Sequence, residues 1–481
     1  MACVNINQVR QQAIMTNRKQ QPPQTQLTFV IQTPSSNSTK NSAKLVRSHA
    51  ARIPSSRKHE KQVKSWILKK EDKSSLQIPD GSIPGRVGTN LSLLDFPEPL
   101  KPYMENDMFR WIHGMRGTLY PQEICLQINA LHSSWTTNLL IDKIYFHAVL
   151  FSIETYFNPQ GTLSHFHFAK TLRLLQGRLD SPDENAISDA TIMVVVMLGL
   201  SAELIGDSGA AEKHVDGLKR IVELRGGLEG LRFDNPRLPA KVCRVDLGLV
   251  LRFGCKPVFF TKDDISWNPY LPPQVRMKKT TQHPEAFIKT LDPRLANVWK
   301  DLQEFSTLSK LAYQTDRKLQ PNTFSEIMIS ILYRLIALTP ENPLENAIRL
   351  GMMTFTASIF FRWRDMKQRQ AYLDGSFRDA LGELRKASVQ PPMAVVLWLL
   401  VLWEMNINGD GCDVFLDWTS EVLRDMEIRS WDGIWEVLKT VVWIDCLFDT
   451  PSRRAFEPIL AQAIGKPGVA SGCQKNWPGK A

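Results

Sequence analysis

Beyond about residue 86 the chain is a succession of apolar segments, 12–24 residues long, with helical rather than alternating spacing, each broken by Pro, Gly or Asn. Residues three and four apart share one face of a helix, whereas a half-buried strand needs a period of two, and such alternation is scarce here. An all-α body is expected over 86–465, as an irregular helical array or bundle, because no internal repeat of fixed period is found. A disordered basic N-terminal arm, 1–85, and a flexible C-terminal tail, 466–481, flank it. With 43% hydrophobic and 22% charged residues, the chain can bury a sizeable core.

The spacing predicts helices over 103–114, 138–157, 163–177, 236–252, 294–312, 324–338, 343–363, 375–387, 392–406, 413–426, 430–447 and 455–464. A further helix is expected to open at Ser181-Pro182-Asp183-Glu184, a capping box with Pro at the first helical position, and to run to about Ile205. Its centre, Ile192–Leu198, is apolar on all faces and should be enclosed by neighbouring helices. The next segment opens at Gly206-Asp207-Ser208, sets Ala211, Val215, Leu218 and Val222 on one stripe, and stops at Gly226-Gly227. Together the two make a helical hairpin. Trp398, Trp403, Trp418, Trp431, Trp435 and Trp443 are read as fillers of helix–helix grooves.

The net charge of +10 is unevenly placed: residues 1–75 hold 14 Lys/Arg and 3 Asp/Glu, and the remainder holds 45 and 46. The arm is rich in Gln, Ser, Thr and Asn and cannot bury enough surface to offset the entropy of ordering. Within it, Arg57-Lys58 is separated by ten residues from Lys69-Lys70-Glu71-Asp72-Lys73, the spacing of a bipartite nuclear import signal; a solvated basic linker reads the same way. Candidate contacts to nucleic acid or an import carrier are Arg47, Arg52, Arg57, Lys58, Lys61, Lys64, Lys69, Lys70 and Lys73. Such contacts neutralise phosphate and position a ligand without specifying its sequence.

No catalytic, cofactor or metal residue is assigned. The chain has no G-x-x-x-x-G-K-[ST] phosphate loop, no G-x-G-x-x-G after a strand and no H-E-x-x-H. Gly206-Asp207-Ser208-Gly209-Ala210 approaches a nucleophile elbow but ends in Ala and lacks a strand before it, so Ser208 is read as a helix-start residue. His165 and His167, two apart on a helix, point in different directions, and His167 and His214 are read as packing histidines. The seven cysteines, Cys3, Cys125, Cys243, Cys255, Cys412, Cys446 and Cys473, lie no closer than twelve residues, which argues against a disulfide framework or close-spaced zinc site. Cys243 and Cys255 are expected to be buried or half-buried thiols. The start, MACVNINQVRQQ, has no apolar core, and the longest apolar runs, Ile192–Leu200 and Met393–Trp403, are short of the roughly 20 residues a bilayer needs. A soluble intracellular protein that is not an enzyme and has no cofactor or membrane partner is expected.

His167-Phe168-Ala169-Lys170, Ile187–Glu203, Gly206-Asp207 with Ala210 and Ala211, His214, Gly217-Leu218, Ile221-Val222 and Arg225-Gly226-Gly227-Leu228 follow one another along the chain. In that order they resemble the fungal-specific transcription factor domain, the helical region behind zinc binuclear cluster DNA-binding domains in many ascomycete regulators. Arg244-Val245-Asp246 and Pro257-Val258-Phe259 resemble that family's next helix and its exit. Thr28-Phe29-Val30, Pro34 and Leu45–Arg52 resemble the N-terminal signature of members that lack the zinc cluster. Leu94-Asp95-Phe96-Pro97 sits where such members carry an Asp-Pro-Phe-like element, with the order changed.

The resemblance implies a nuclear location and control of transcription, with partners in the transcription machinery and nucleic acid reached through the basic arm. A zinc binuclear cluster needs six thiolates within about thirty residues, because bridging sulfurs hold both metals. Before Cys125 the chain has only Cys3, so that device is excluded. A helical scaffold or pathway-associated protein without direct DNA contact is the alternative, and a homo- or hetero-oligomer is compatible with either reading.

Overall fold

The computed structural model describes residues 94–114, 120–127, 134–158, 162–181, 184–271, 284–361, 370–388, 391–407 and 414–465. The expected arm and tail lie outside them. Among the described residues there are seventeen α-helices and no strand, only an isolated parallel bridge between Cys125 and Leu319. No helix among them is long and apolar enough to cross a membrane.

The helices are α1 (Pro102–Gly114), α2 (Ser134–Ile141), α3 (Lys143–Phe157), α4 (Thr162–Leu179), α5 (Asp189–Ile205), α6 (Ser208–Leu224), α7 (Gly227–Asp234) and α8 (Leu238–Phe253). After them come α9 (Pro284–Ile288), α10 (Pro293–Thr315), α11 (Pro321–Ala337), α12 (Pro343–Phe360) and α13 (Ala371–Lys386). The last four are α14 (Met393–Ile407), α15 (Leu416–Asp425), α16 (Trp431–Leu438) and α17 (Asp445–Gly465).

The hairpin α5–α6 forms as its sequence dictates. Asp207 caps α6 by accepting from the Ala210 amide, and Ala211, Val215, Leu218 and Val222 are all buried. Ile192–Val196 and Leu198 at the centre of α5 are buried from every side. Gly226 and Gly227, at φ 83° and 76°, take the left-handed turn that a β-carbon disfavours, and α7 starts there. Neither α7 nor the five-residue α9 stands out in the hydrophobic pattern.

Three expectations are corrected. The helix expected from Ser181 begins at Asp189, after a 3-10 turn at Glu184–Ile187, because Ser188 is extended (ψ 162°) and its hydroxyl accepts from the Thr191 amide. The single helix over 138–157 is two, because the Asp142 carboxylate caps α3 at the Ile144 and Tyr145 amides and takes an extended conformation to do so. The helix over 430–447 ends at Leu438, and the residues expected as a separate helix over 455–464 are the second half of α17. Between α16 and α17 the connector itself passes through the core. Val442, Trp443 and Ile444 are buried, and the Trp398 indole N–H donates to Val442 O at 2.9 Å. A buried connector is as apolar as a helix, which is why the pattern joined them. Pro451 and Pro458 both lie inside α17, without breaking it.

Two apolar clusters make up the interior. One is built from α1–α8, with Phe146, Val194, Leu218 and Val242 among its members; the other from α8–α17, with Trp299, Phe324, Phe355 and Trp398. Helix α8 supplies Val242, Val245 and Leu249 to the first and Cys243, Leu247 and Leu251 to the second, and it packs on α5, α6, α7, α11 and α13. Trp398, Trp403 and Trp443 are core residues as expected.

Where α8 crosses α5, Gly248 lies under the buried Glu203 carboxyl, and an added β-carbon would collide with both of its oxygens. The Gly248→Ala variant is therefore expected to lose about 1–3 kcal/mol of stability, from forced displacement of a buried polar group. A urea titration reads this as a lower midpoint, and an unchanged midpoint would show that Glu203 moves aside freely.

Candidate functional site

Arg47, Arg52, Arg57, Lys58, Lys61, Lys64, Lys69, Lys70 and Lys73, the expected nucleic-acid or import-carrier contacts, lie outside the described residues. The segments Thr28-Phe29-Val30, Pro34 and Leu45–Arg52 lie outside them too.

The remaining residues that carry the resemblance lie on α4–α8 and their connections, except Leu94–Pro97, which precede α1; some of them hold the joints between these helices. Arg225, at the end of α6, donates through Nη1 to Ile187 O (2.8 Å) and Asp189 Oδ1 (3.1 Å) and through Nη2 to Asp234 Oδ2 (2.8 Å). One guanidinium thus ties the start of α5 to the ends of α6 and α7, and Asn235 adds a bond to Asp189 at 2.8 Å. On α8, the buried Arg244 lies over the rings of Phe360 (4.7 Å) and Phe361 (5.1 Å), and burial pulls its pKa down to about 10. Asp246, two residues on, accepts from the Val258 amide at 3.0 Å, the Phe259 amide at 3.3 Å and the Tyr333 hydroxyl at 2.6 Å. A second buried carboxylate, Asp301 on α10, accepts from the Tyr270 and Leu271 amides and from Arg334 Nη2 at 2.6 Å. The two aspartates clamp the segment between α8 and α10 at two points. Asp246 belongs to a segment that carries the resemblance, but nothing in the local sequence marks its clamping role or Asp301, because their partners lie 12–87 and 30–33 residues away.

A polar seam runs through the first cluster. Glu98 Oε1 lies 2.6 Å from both Lys143 Nζ (α3) and Lys170 Nζ (α4), and Oε2 lies 3.3 Å from His147 Nε2. His147 Nδ1 and His167 Nδ1 are 2.9 Å apart, and His167 Nε2 is 3.2 Å from the Tyr103 hydroxyl on α1. Both imidazoles are fully buried, so one Nδ1 must donate and the other accept, and the accepting ring cannot gain a proton at Nδ1 without losing that bond. Burial and the neighbouring His147 hold His167 down to about 4. Burial would raise Glu98, but its two lysines outweigh that and hold it at about 2. At the far end, burial and a hydrogen bond to Glu154 push Asp107 up to about 7. His165 is exposed while His167 is buried, so the H-x-H pair is split between the two sides of α4. Among the described residues, no group of three or more His, Cys, Asp or Glu is placed to hold a metal ion. Cys125 and Cys243 are buried free thiols, Cys255 and Cys446 half-buried ones.

An open cleft of about 500 Å³ lies between α16 and α17. Trp431, Asp432 and Trp435 line it from α16, and Asp449, Arg453 and Arg454 from α17. Helical spacing explains the convergence: Trp431 and Trp435 are four apart on one face, as are Asp449 and Arg453 on the other. Trp443 Nε1 fixes the Asp449 carboxylate at 2.8 Å. Burial raises the pKa of that carboxyl. Trp431 and Trp435 were read as groove fillers; Trp431 is buried as expected, yet both border this cleft.

No family model, no curated protein and no solved structure matches the chain.

Proposed function

We propose that the chain is a nuclear transcriptional regulator or co-regulator of the kind found in the fungal-specific transcription factor domain family, in the branch without a zinc binuclear cluster. The observation that carries this reading is positional. The segments from His167 to Phe259 that resemble the family fall, in order, on the packed helices α4–α8 and their exit, where they act as a cap (Asp207), a left-handed turn (Gly226-Gly227), a three-way tie (Arg225) and a loop clamp (Asp246). A cap, a left-handed turn, a tie and a clamp are the duties that hold packed helices in one arrangement, which is what supports the reading. In this reading the helical body binds protein partners of the transcription machinery and performs no catalysis, and the charge gathered in residues 1–75 serves nuclear import and nucleic-acid contact.

The test is genome-wide occupancy of a tagged chain, compared with a version lacking residues 1–85, alongside microscopy of a version lacking 57–73. The expected result is nuclear signal that falls when 57–73 is removed, and occupancy that falls when the arm is removed. A tagged chain that stays cytoplasmic, with no genomic occupancy, would favour the scaffold reading instead.

A further inference from the structure

We propose that the cleft between α16 and α17 binds a free amino acid in its zwitterionic form, one with a large apolar side chain. The ammonium faces Asp432 and Asp449, the carboxylate faces Arg454, and the side chain lies against the indoles.

The argument rests on what the walls leave uncommitted. Arg453 is engaged by Glu457 at 2.7 Å along α17, and Lys439 sits 2.6 Å from Glu436 while covering the Trp435 ring at 3.6 Å from its centre. Arg454 makes no ion pair among the described residues; Asp432 makes none within 4 Å, although its charge acts on the Arg453 guanidinium. Asp432 is held in the first turn of α16, where the helix dipole favours a carboxylate. The Asp449 carboxylate is oriented by the Trp443 indole and half-buried. The cleft therefore carries charge of both signs, with the carboxylates of Asp432, Asp449 and Glu457 set among the guanidinium groups of Arg453 and Arg454.

That arrangement excludes simpler ligands. A polyanion meets Asp432 and Asp449, an organic cation meets Arg453 and Arg454, and an uncharged apolar molecule strips water from all four without replacing it. A ligand with opposite charges a few bonds apart satisfies both signs, and the indoles add an apolar face of the kind that takes aromatic and alkyl side chains. The volume, about 500 Å³, is in the range of small-molecule sites.

Calorimetric titration of the full purified chain with L-phenylalanine tests this, with N-acetyl-L-phenylalanine and L-phenylalanine amide as analogues that each lack one charge. The expected result is one-to-one binding of phenylalanine, with each analogue at least about tenfold weaker. Arg454→Ala is expected to weaken phenylalanine by a similar factor and leave the amide unchanged; Asp432→Asn is expected to weaken phenylalanine and leave the N-acetyl compound unchanged. Both positions are exposed, and circular dichroism confirms that the variants fold. No heat up to about 10 mM phenylalanine, or analogues that bind as tightly as the parent, overturns the proposal. The assay uses purified protein and no genomic readout, so its outcome is independent of the transcription reading.

Discussion

Asp301→Ala is expected to lower the stability of the helical body by about 3–5 kcal/mol, the cost of breaking a buried ion pair by deleting one partner. Asp301 and Arg334 are 1% and 3% exposed, and the pair closes at 2.6 Å. Removing the carboxylate strands a guanidinium between α10 and α11 whose other partners among the described residues are the Ser330 and Asn268 carbonyls, at 3.1 and 3.4 Å. It also frees the Tyr270 and Leu271 amides, so the segment behind α8 loses one of its two clamps. The double variant Asp301→Ala/Arg334→Met removes the stranded charge and is expected to recover part of the loss. Urea midpoints of the wild type, the single and the double variant measure this; a single variant within about 1 kcal/mol of wild type would mean that water reaches Arg334 and the pair is not sealed.

Acidification from neutral pH to about pH 4.5 is expected to weaken the fold through His167, by up to about 3 kcal/mol. An unfolded imidazole titrates near its usual 6.5, whereas in the folded chain His167 is held down to about 4. Between these values the unfolded chain takes up a proton that the folded chain refuses. The contribution is thus complete above about 6.5 and is lost as pH falls toward 4. His147, whose pKa is also lowered, chiefly by burial, acts in the same direction.

Two carboxyls in the seam behave differently. Asp107, raised from 3.8 to about 7, favours the folded state at acid pH and loses that contribution as pH rises through 7. Glu98, lowered from 4.5 to about 2, contributes fully above 4.5 and loses that contribution progressively as pH falls from 4.5 to about 2, below the range tested. The histidine effect is therefore isolated as the difference between wild type and His167→Gln, measured by urea unfolding at pH 7 and pH 4.5. The difference should shrink on acidification; a difference independent of pH would show that the buried imidazole pair is not maintained.

How far the sequence determines all this is visible in particular residues. The α6 stripe of Ala211, Val215, Leu218 and Val222 is legible because its periodicity, its Asp207 cap and its Gly226-Gly227 stop all agree. The start of α5 is not, since two serines, Ser181 and Ser188, each precede plausible helix, and the choice of Ser188 is enforced by Arg225 and Asn235 gripping Asp189 from 36 and 46 residues away. The break at Asp142 is hidden for the same reason: Arg178, 36 residues on, holds the carboxylate at 2.7 and 3.0 Å. The burial of His167 was readable from its helix, but not its partner His147, which comes from another helix 20 residues earlier. The α16–α17 cleft depends on a turn placed at Lys439–Ile444, where apolar continuity masks the connector as helix.

The double membership of α8 bears on how this protein could be taken apart. A strip of Val242, Val245 and Leu249 faces one way and Cys243, Leu247 and Leu251 another, so a cut on either side of α8 leaves one partner with an uncovered greasy seam. Neither portion is a transplantable module, and an expressed fragment meant to keep both clusters covered would have to include Phe96 through Leu460.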